Sequence, residues 1–186
     1  VGQPLEICDV TIARPGPREV LIRTAAAGVC HSDLHFMEGH YKYPLPAVLG
    51  HESAGVVEMV GSEVRSVKVG DHVITCLSAF CGHCDHCVTG HLSLCASPET
   101  KRGKGEEARL TLDGAPTVQF LNMSSFAEQM LIHENACVAV RKDMPFDRAA
   151  LIGCAVMTGY GAVVHSAAVR PGESVAVIGV GGIGLS

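Results

Sequence analysis

The chain has 186 residues, of which 47% are hydrophobic and only 4% aromatic, and its formal net charge is −5. This length provides one domain and the start of a second, with a core of Val, Ala, Leu and Ile, because Trp is absent. The acidic balance, without a basic stripe, argues against nucleic acid and anionic membrane as partners, and no apolar run approaches the length of a membrane span.

Both ends read as cuts within a longer protein. Val1-Gly2-Gln3-Pro4 carries neither Met nor a signal-peptide pattern, and the chain stops inside a glycine-rich run at Gly184-Leu185-Ser186. In chain order, Val20–Thr24 is β-rich and follows the turn signal Arg14-Pro-Gly-Pro17. Ser53–Val60 is a second strand, ending at Gly61-Ser62. Val67–Ile74 reads as two strand pieces about a turn at Gly70-Asp71, and Ser125–Ile132 and Ala136–Val140 are further strands. Between them, the polar stretch Pro98–Thr117 reads as a solvated surface loop. Beyond Pro145, Phe146–Gly153 and Thr158–Ala168 have helical composition. After a turn at Pro171-Gly172, the apolar run Ser174–Ile178 has the form of a buried parallel strand. The fold expected is therefore mainly β with some α. A partly closed β domain spans residues 1–155, and residues 156–186 carry a linker helix and the start of an α/β domain.

Nine Cys and ten His are many for this length. An odd Cys count without a secretory signal favours metal ligation in a reducing compartment, the cytoplasm, over disulfides. Cys81, Cys84, Cys87 and Cys95 follow the spacing Cys-x2-Cys-x2-Cys-x7-Cys in a lobe spanning about 78–98. Four thiolates close a tetrahedron around zinc and leave no open position, so this site would be structural. Disulfides and an iron–sulfur cluster are the other chemistries open to four cysteines. His83, His86 and His91 lie among them and read as surface residues or as supports behind the ligands. Cys30-His31-Ser32-Asp33, His35, Gly50-His51-Glu52 and the distant Cys154 are each weak alone. Together they suggest a second Cys/His metal site. The run Val175–Ile178 leads into Gly179-Val-Gly181-Gly182-Ile-Gly184, a glycine turn of the kind that admits a pyrophosphate close to the backbone.

The order and spacing of these motifs over essentially the whole chain resemble the zinc-containing medium-chain alcohol dehydrogenases. The resemblance implies a GroES-like catalytic domain with a four-Cys zinc lobe, leading into a Rossmann domain. It also implies two zinc ions per intact subunit. Cys30, His51 and Cys154 would hold the catalytic zinc, with the fourth position open for water or substrate, and Asp33 would orient the zinc-bound imidazole. Glu52 matches the acidic residue close behind that metal. The chemistry implied is reversible hydride transfer between a small alcohol or aldehyde and a nicotinamide. Ser32 would receive the alcohol proton, and His35 would pass it to solvent. His31 matches a position that meets the coenzyme pyrophosphate, and a neutral His there would hold phosphates less strongly than an Arg. Thr158 matches a residue beside the nicotinamide, and Gly179, Gly181, Gly182 and Gly184 match the coenzyme turn. NAD is favoured over NADP from relatives, since the discriminating acidic residue would lie beyond Ser186. The intact protein is expected to be a homodimer or homotetramer, and this portion alone inactive.

Within the family, the glutathione-dependent formaldehyde dehydrogenases carry a tyrosine at the position of His35 and an acid at that of Tyr41, which argues against a glutathione adduct as substrate. Tyr41, Tyr43 and Phe120 are expected in the core, and Cys8, Cys76 and Cys137 as buried small hydrophobes. Two rivals are weaker. A zinc-stabilised nucleic-acid module lacks basic charge, and a relative that has lost catalysis would not need Cys30, Ser32, His35, His51 and Cys154 together.

Overall fold

The computed structural model describes residues 1–186. Ten strands carry most of its regular structure: β1 (Thr11–Ile12), β2 (Glu19–Gly28), β3 (Ala47–Val48), β4 (Glu52–Val60), β5 (His72–Thr75), β6 (Leu110–Leu112), β7 (Ala115–Pro116), β8 (Val118–Gln119), β9 (Gln129–His133) and β10 (Cys137–Val140). Helices α1 (His31–Met37), α2 (Asp85–Val88) and α3 (Phe146–Ser166) are set between and after them.

The main sheet has the order β10-β5-β4-β2-β9, with every pair antiparallel. Each of its five strands sends residues into one core: Val20 and Ile22 from β2, Val57 from β4, Val73 from β5, Met130 and Ile132 from β9, and Cys137 from β10. A sheet that surrounds its own core in this way is the partly closed β domain expected. Alternation explains β2. Val20 and Ile22 face the main core, whereas Leu21 faces the other way onto Ala13 and Leu131. The first three turns of α3 cover the opposite face of β2 and β4, where Ala149 and Ala150 pack on Ala54. Gly153 makes that approach possible, because a Cβ there would stand 1.9 Å from the Thr75 carbonyl oxygen.

Several expectations need correction. Only the second piece of Val67–Ile74 pairs as a strand, and the Ser125–Ile132 strand begins at Gln129. Pro98–Thr117 is not a loose solvated loop. It contributes β6 and β7, and Arg109 is buried in it. Arg102 Nη2 and Arg109 Nε each donate to Glu19 at 2.6 Å, tying this segment to β2. The two helices expected after Pro145 are one continuous helix, running through three glycines with two π-type segments, Ile152–Val156 and Ala162–Ser166. At 21 residues, α3 is long and apolar enough to cross a membrane, contrary to the expectation that no run approaches that length. Here its N-terminal half is bound to the sheet through Ala149, Ala150 and Gly153. Ser174–Ile178 forms no strand, and Ile178 is fully exposed. A parallel strand exists only by pairing, and no strand lies beside this run.

Candidate metal centres

The four-Cys lobe is built almost entirely by local geometry. Cys84 caps α2, Cys87 lies within that helix, and a short 3₁₀ turn, Leu92–Leu94, returns Cys95 to the group. The sulfur–sulfur distances are 3.9 Å for Cys81–Cys87, 3.5 Å for Cys84–Cys87 and 3.9 Å for Cys84–Cys95. Sulfurs placed ~2.3 Å from one zinc at tetrahedral angles stand about 3.8 Å apart, so the cage has the size of a single ion. It is too wide for disulfides, with all nine cysteines free, and too tight for a multi-metal cluster. Backbone N–H groups point into it. Cys84 N donates to Cys81 Sγ at 3.4 Å, and Cys81 N donates to Cys95 Sγ at 3.3 Å. The N–H of His83, with that of Cys84, draws the Cys81 thiol down to about 6, whereas burial pushes Cys87 up to about 11. Four converging sulfurs with inward-pointing N–H groups fit a single zinc ion.

The second group gathers residues from across the chain. Cys30 caps α1, His51 immediately precedes β4, and Cys154 lies in the first π segment of α3, an irregularity often found at functional sites. Their ligand atoms lie within 4.8 Å of one another. Cys30 Sγ is 3.9 Å from Cys154 Sγ, which is 3.6 Å from His51 Nε2. These are the edges of a zinc-sized tetrahedron with one corner missing. Asp33 fixes the arrangement. It is fully buried and its Oδ1 lies 3.2 Å from His51 Nδ1, leaving Nε2 to face the cysteines. The same carboxylate accepts from the N–H groups of Gly50 (3.2 Å) and Cys30 (3.1 Å), so one side chain ties the segment bearing His51 to the segment bearing Cys30.

Burial and neighbouring charge shift the protonation of these groups in different directions. Burial pushes the Cys30 thiol up, but the N–H and hydroxyl of Ser32 and the His51 ring outweigh it and hold it below its ordinary range. Cys154 is driven up to about 12, first by burial and then by the negative charge of Cys30 and Glu52. Burial also raises Glu52, and its Oε2 is buried without a hydrogen-bond partner. Burial lowers His51, but Asp33 outweighs it and raises the imidazole. Two thiols and an imidazole whose ligand atoms lie within 4.8 Å of one another, with the orphaned Glu52 carboxylate oxygen nearby, fit a zinc ion held by Cys30, His51 and Cys154.

This group opens on one side to a cavity of about 740 Å³ between α3 and the glycine run. Cys30, His31, Glu52, Cys154, Gly179, Gly181, Gly182 and Gly184 line it. Residues 16–142 match the family model described as alcohol dehydrogenase GroES-like domain. The chain belongs to the zinc alcohol dehydrogenase family. The whole chain aligns at 42% identity with 52% of an S-(hydroxymethyl)glutathione dehydrogenase from Photobacterium damsela subsp. piscicida. Among solved structures, an alcohol dehydrogenase zinc-binding domain protein from Burkholderia ambifaria superposes with a TM-score of 0.89 at 40% identity, covering 99% of this chain and 51% of that one. Benzyl alcohol dehydrogenase from Acinetobacter calcoaceticus gives a TM-score of 0.78 at 35% identity, covering 89% and 45%. The chain thus spans about half the length of the curated relatives it matches.

The other expected site residues of this family member fall into two groups. Ser32 is adjacent to the metal group, its Oγ 3.7 Å from Cys30 Sγ. His35, one turn along α1, does not reach the cavity and stands among His31, His40 and Tyr41. Thr158 also does not line the cavity, and its hydroxyl acts on the Cys154 thiol one turn earlier in α3. Phe120 is in the core as expected and packs on His51 at 5.9 Å between ring centroids, but Tyr41 and Tyr43 are exposed. Cys137 is a core residue with its thiol pushed up to about 12 by burial, whereas Cys8 is exposed and Cys76 half-buried. Two features escaped the sequence reading. His40 joins the histidines of α1, and α1 itself was signalled by Cys30-x-x-Asp33, in which the third helical residue accepts the N–H of the cap.

Proposed function

We propose that the intact protein is a zinc-dependent alcohol dehydrogenase that transfers hydride reversibly between a small alcohol or aldehyde and NAD. The observation that carries this reading is the open, three-ligand group Cys30–His51–Cys154 facing the cavity beside the glycine run. A zinc held there would supply the Lewis acidity that makes an alcohol proton labile, and the nicotinamide would accept the hydride. Ser32 is adjacent to that point and takes the proton, since a hydroxyl both accepts and donates. His35, on the outer side of α1, passes it to solvent. Glu52 lies behind the metal and modulates its charge. His31 and the glycines at 179, 181, 182 and 184 line the cavity where the coenzyme phosphates would bind, and Thr158 supports Cys154 at its edge. The rest of the coenzyme domain would come from residues outside this chain. The active unit is a homodimer or homotetramer in the cytoplasm, where nine free cysteines stay reduced.

The relatives are named for different substrates, one a glutathione adduct and one benzyl alcohol. His35 and Tyr41, in place of the tyrosine and acid of the glutathione-dependent class, favour a small or aromatic alcohol. The test counts zinc per chain by elemental analysis in protein purified reduced and without added metal, beside a Cys154→Ala variant. Two zinc ions falling to one are expected. A single ion that survives the substitution would leave the catalytic reading without its metal. The longer protein should then turn over benzyl alcohol with NAD in preference to S-(hydroxymethyl)glutathione.

A further inference from the structure

Asp33 ties His51 to Cys30 but makes no bond to the segment that carries Cys154. A different pair of side chains bridges that gap. Ser53, two residues after His51, stands opposite Thr75, one step beyond the Ala54–Ile74 pair of β4 and β5. Both are fully buried, at 0% and 1% exposure, and their hydroxyl oxygens lie 2.6 Å apart. Thr75 Oγ1 also donates to the Ser53 carbonyl at 3.1 Å, and Ser53 Oγ stands 3.5 Å from Met130 Sδ, so both protons find acceptors inside this group. The backbone of Thr75 completes the link. Its carbonyl oxygen bears on Gly153, the residue before Cys154, so closely that a Cβ at 153 would stand 1.9 Å from it. The side chain of Thr75 thus holds the strand that follows His51, and its carbonyl meets the residue that precedes Cys154. The other contacts of α3 with β4 here, Ala149 and Ala150 on Ala54, are apolar and carry no directionality.

We propose that Ser53 and Thr75 are positioning residues for Cys154. Their hydroxyl pair fixes β4 against β5, and the Thr75 carbonyl carries that register to the Gly153–Cys154 step, setting the 3.6 Å between Cys154 Sγ and His51 Nε2. A buried hydroxyl that loses its partner keeps its full desolvation cost, so the pair resists any slide of β4 along β5 that would part the two ligands. The proposal rests on the zinc reading of Cys30, His51 and Cys154 given above. It gives the third ligand a support of its own, where Asp33 serves the other two.

Zinc is the probe. The reduced, zinc-loaded chain is titrated with a chromogenic chelator, and the step lost in Cys154→Ala marks the dispersed centre. Thr75→Val removes one hydroxyl and keeps the branched shape, and Ser53→Ala removes the other half of the pair. Each should weaken zinc about tenfold or more at the dispersed centre, as loss of a group behind a metal ligand commonly does. The four-Cys centre should keep its affinity in both. Thr75→Ser, which retains the hydroxyl, should bind as the wild type does, a rescue that a role in packing alone would not give. The double variant should be little worse than either single one, because each already breaks the same pair. Unchanged affinity in Thr75→Val and Ser53→Ala, equal weakening at both centres, or a Thr75→Ser variant as weak as Thr75→Val would overturn the proposal. Cys154→Ala separates this result from the zinc reading. If it removes one ion while Thr75→Val binds normally, only the positioning role fails; if it removes none, Cys154 is no ligand and both fail.

Discussion

The two cysteine centres reach nearly the same sulfur–sulfur distances by opposite routes. Cys81, Cys84, Cys87 and Cys95 lie within one short segment, shaped by α2 and a 3₁₀ turn. Cys30 and Cys154 are 124 residues apart and meet only because β2, β4 and α3 are already packed together. The first centre organises its own lobe, and the second is organised by the fold. The four-Cys lobe has few alternatives for stability: His83, Asp85, His86, Val88, Leu92 and Leu94 around its ligands are largely exposed, leaving the metal in place of a core.

The largest effect should therefore come from Cys87→Ser, which removes a buried ligand from the self-organised centre. Structural zinc in small peptide sites is worth roughly 10–16 kcal/mol of apparent binding energy, so its loss should unfold the lobe outright. Zinc analysis should show one ion fewer per chain, and limited proteolysis should cut within 78–98 while the five-stranded sheet survives. If the lobe stayed protease-resistant without its zinc, the contrast between the two centres would fail.

A smaller effect is expected at Glu19, where long-range packing is held by charge instead of metal. Its carboxylate receives Arg102 and Arg109 at 2.6 Å in a buried setting, and these two offset burial to keep Glu19 below the ordinary 4.5. Glu19→Gln leaves the buried Arg109 and the half-buried Arg102 short of a carboxylate and should cost about 3–5 kcal/mol, read from the denaturation midpoint. The pH dependence follows from the sign of the shift. A depressed carboxylate contributes its full stabilisation above the unfolded value of 4.5 and loses it as pH falls through its lower folded value. As pH falls from 4.5 through that lower value, the wild type should therefore lose stability more steeply than Glu19→Gln.

The same contrast explains what the sequence revealed. The four-Cys spacing was legible because all its ligands are near neighbours, and β2, β4 and β10 were legible because short-range alternation fixes a strand's faces. Arg109 was not, since the polar run around it resembles a solvated loop until Glu19, 90 residues away, is brought beside it. Phe146–Gly153 and Thr158–Ala168 read as two helices but form one, and Gly153 is there because Thr75 approaches from another part of the chain. Ser174–Ile178 has the composition of a strand but no neighbour to pair with. For the dispersed centre the residues alone suggested a second Cys/His metal site, and the ligand set Cys30, His51 and Cys154 came from the family resemblance, because nothing local in these residues announces a shared ligand.

The smallest effect sharpens the comparison most. Asp33 touches no metal position directly, but it holds His51 Nδ1 and the N–H groups of Cys30 and Gly50 together. Asn has nearly the same size and can accept one of those N–H groups, so Asp33→Asn should leave the fold largely intact while losing the charge that orients and strengthens the imidazole. Zinc affinity at the dispersed centre should fall about 10–100-fold, and affinity at the four-Cys centre should not change, as measured by competition with a chromogenic chelator. Equal weakening at both centres would mean that Asp33 acts through global stability. Selective weakening would mean that the second centre depends on a carboxylate that prealigns its ligands, a support the self-organised centre does without.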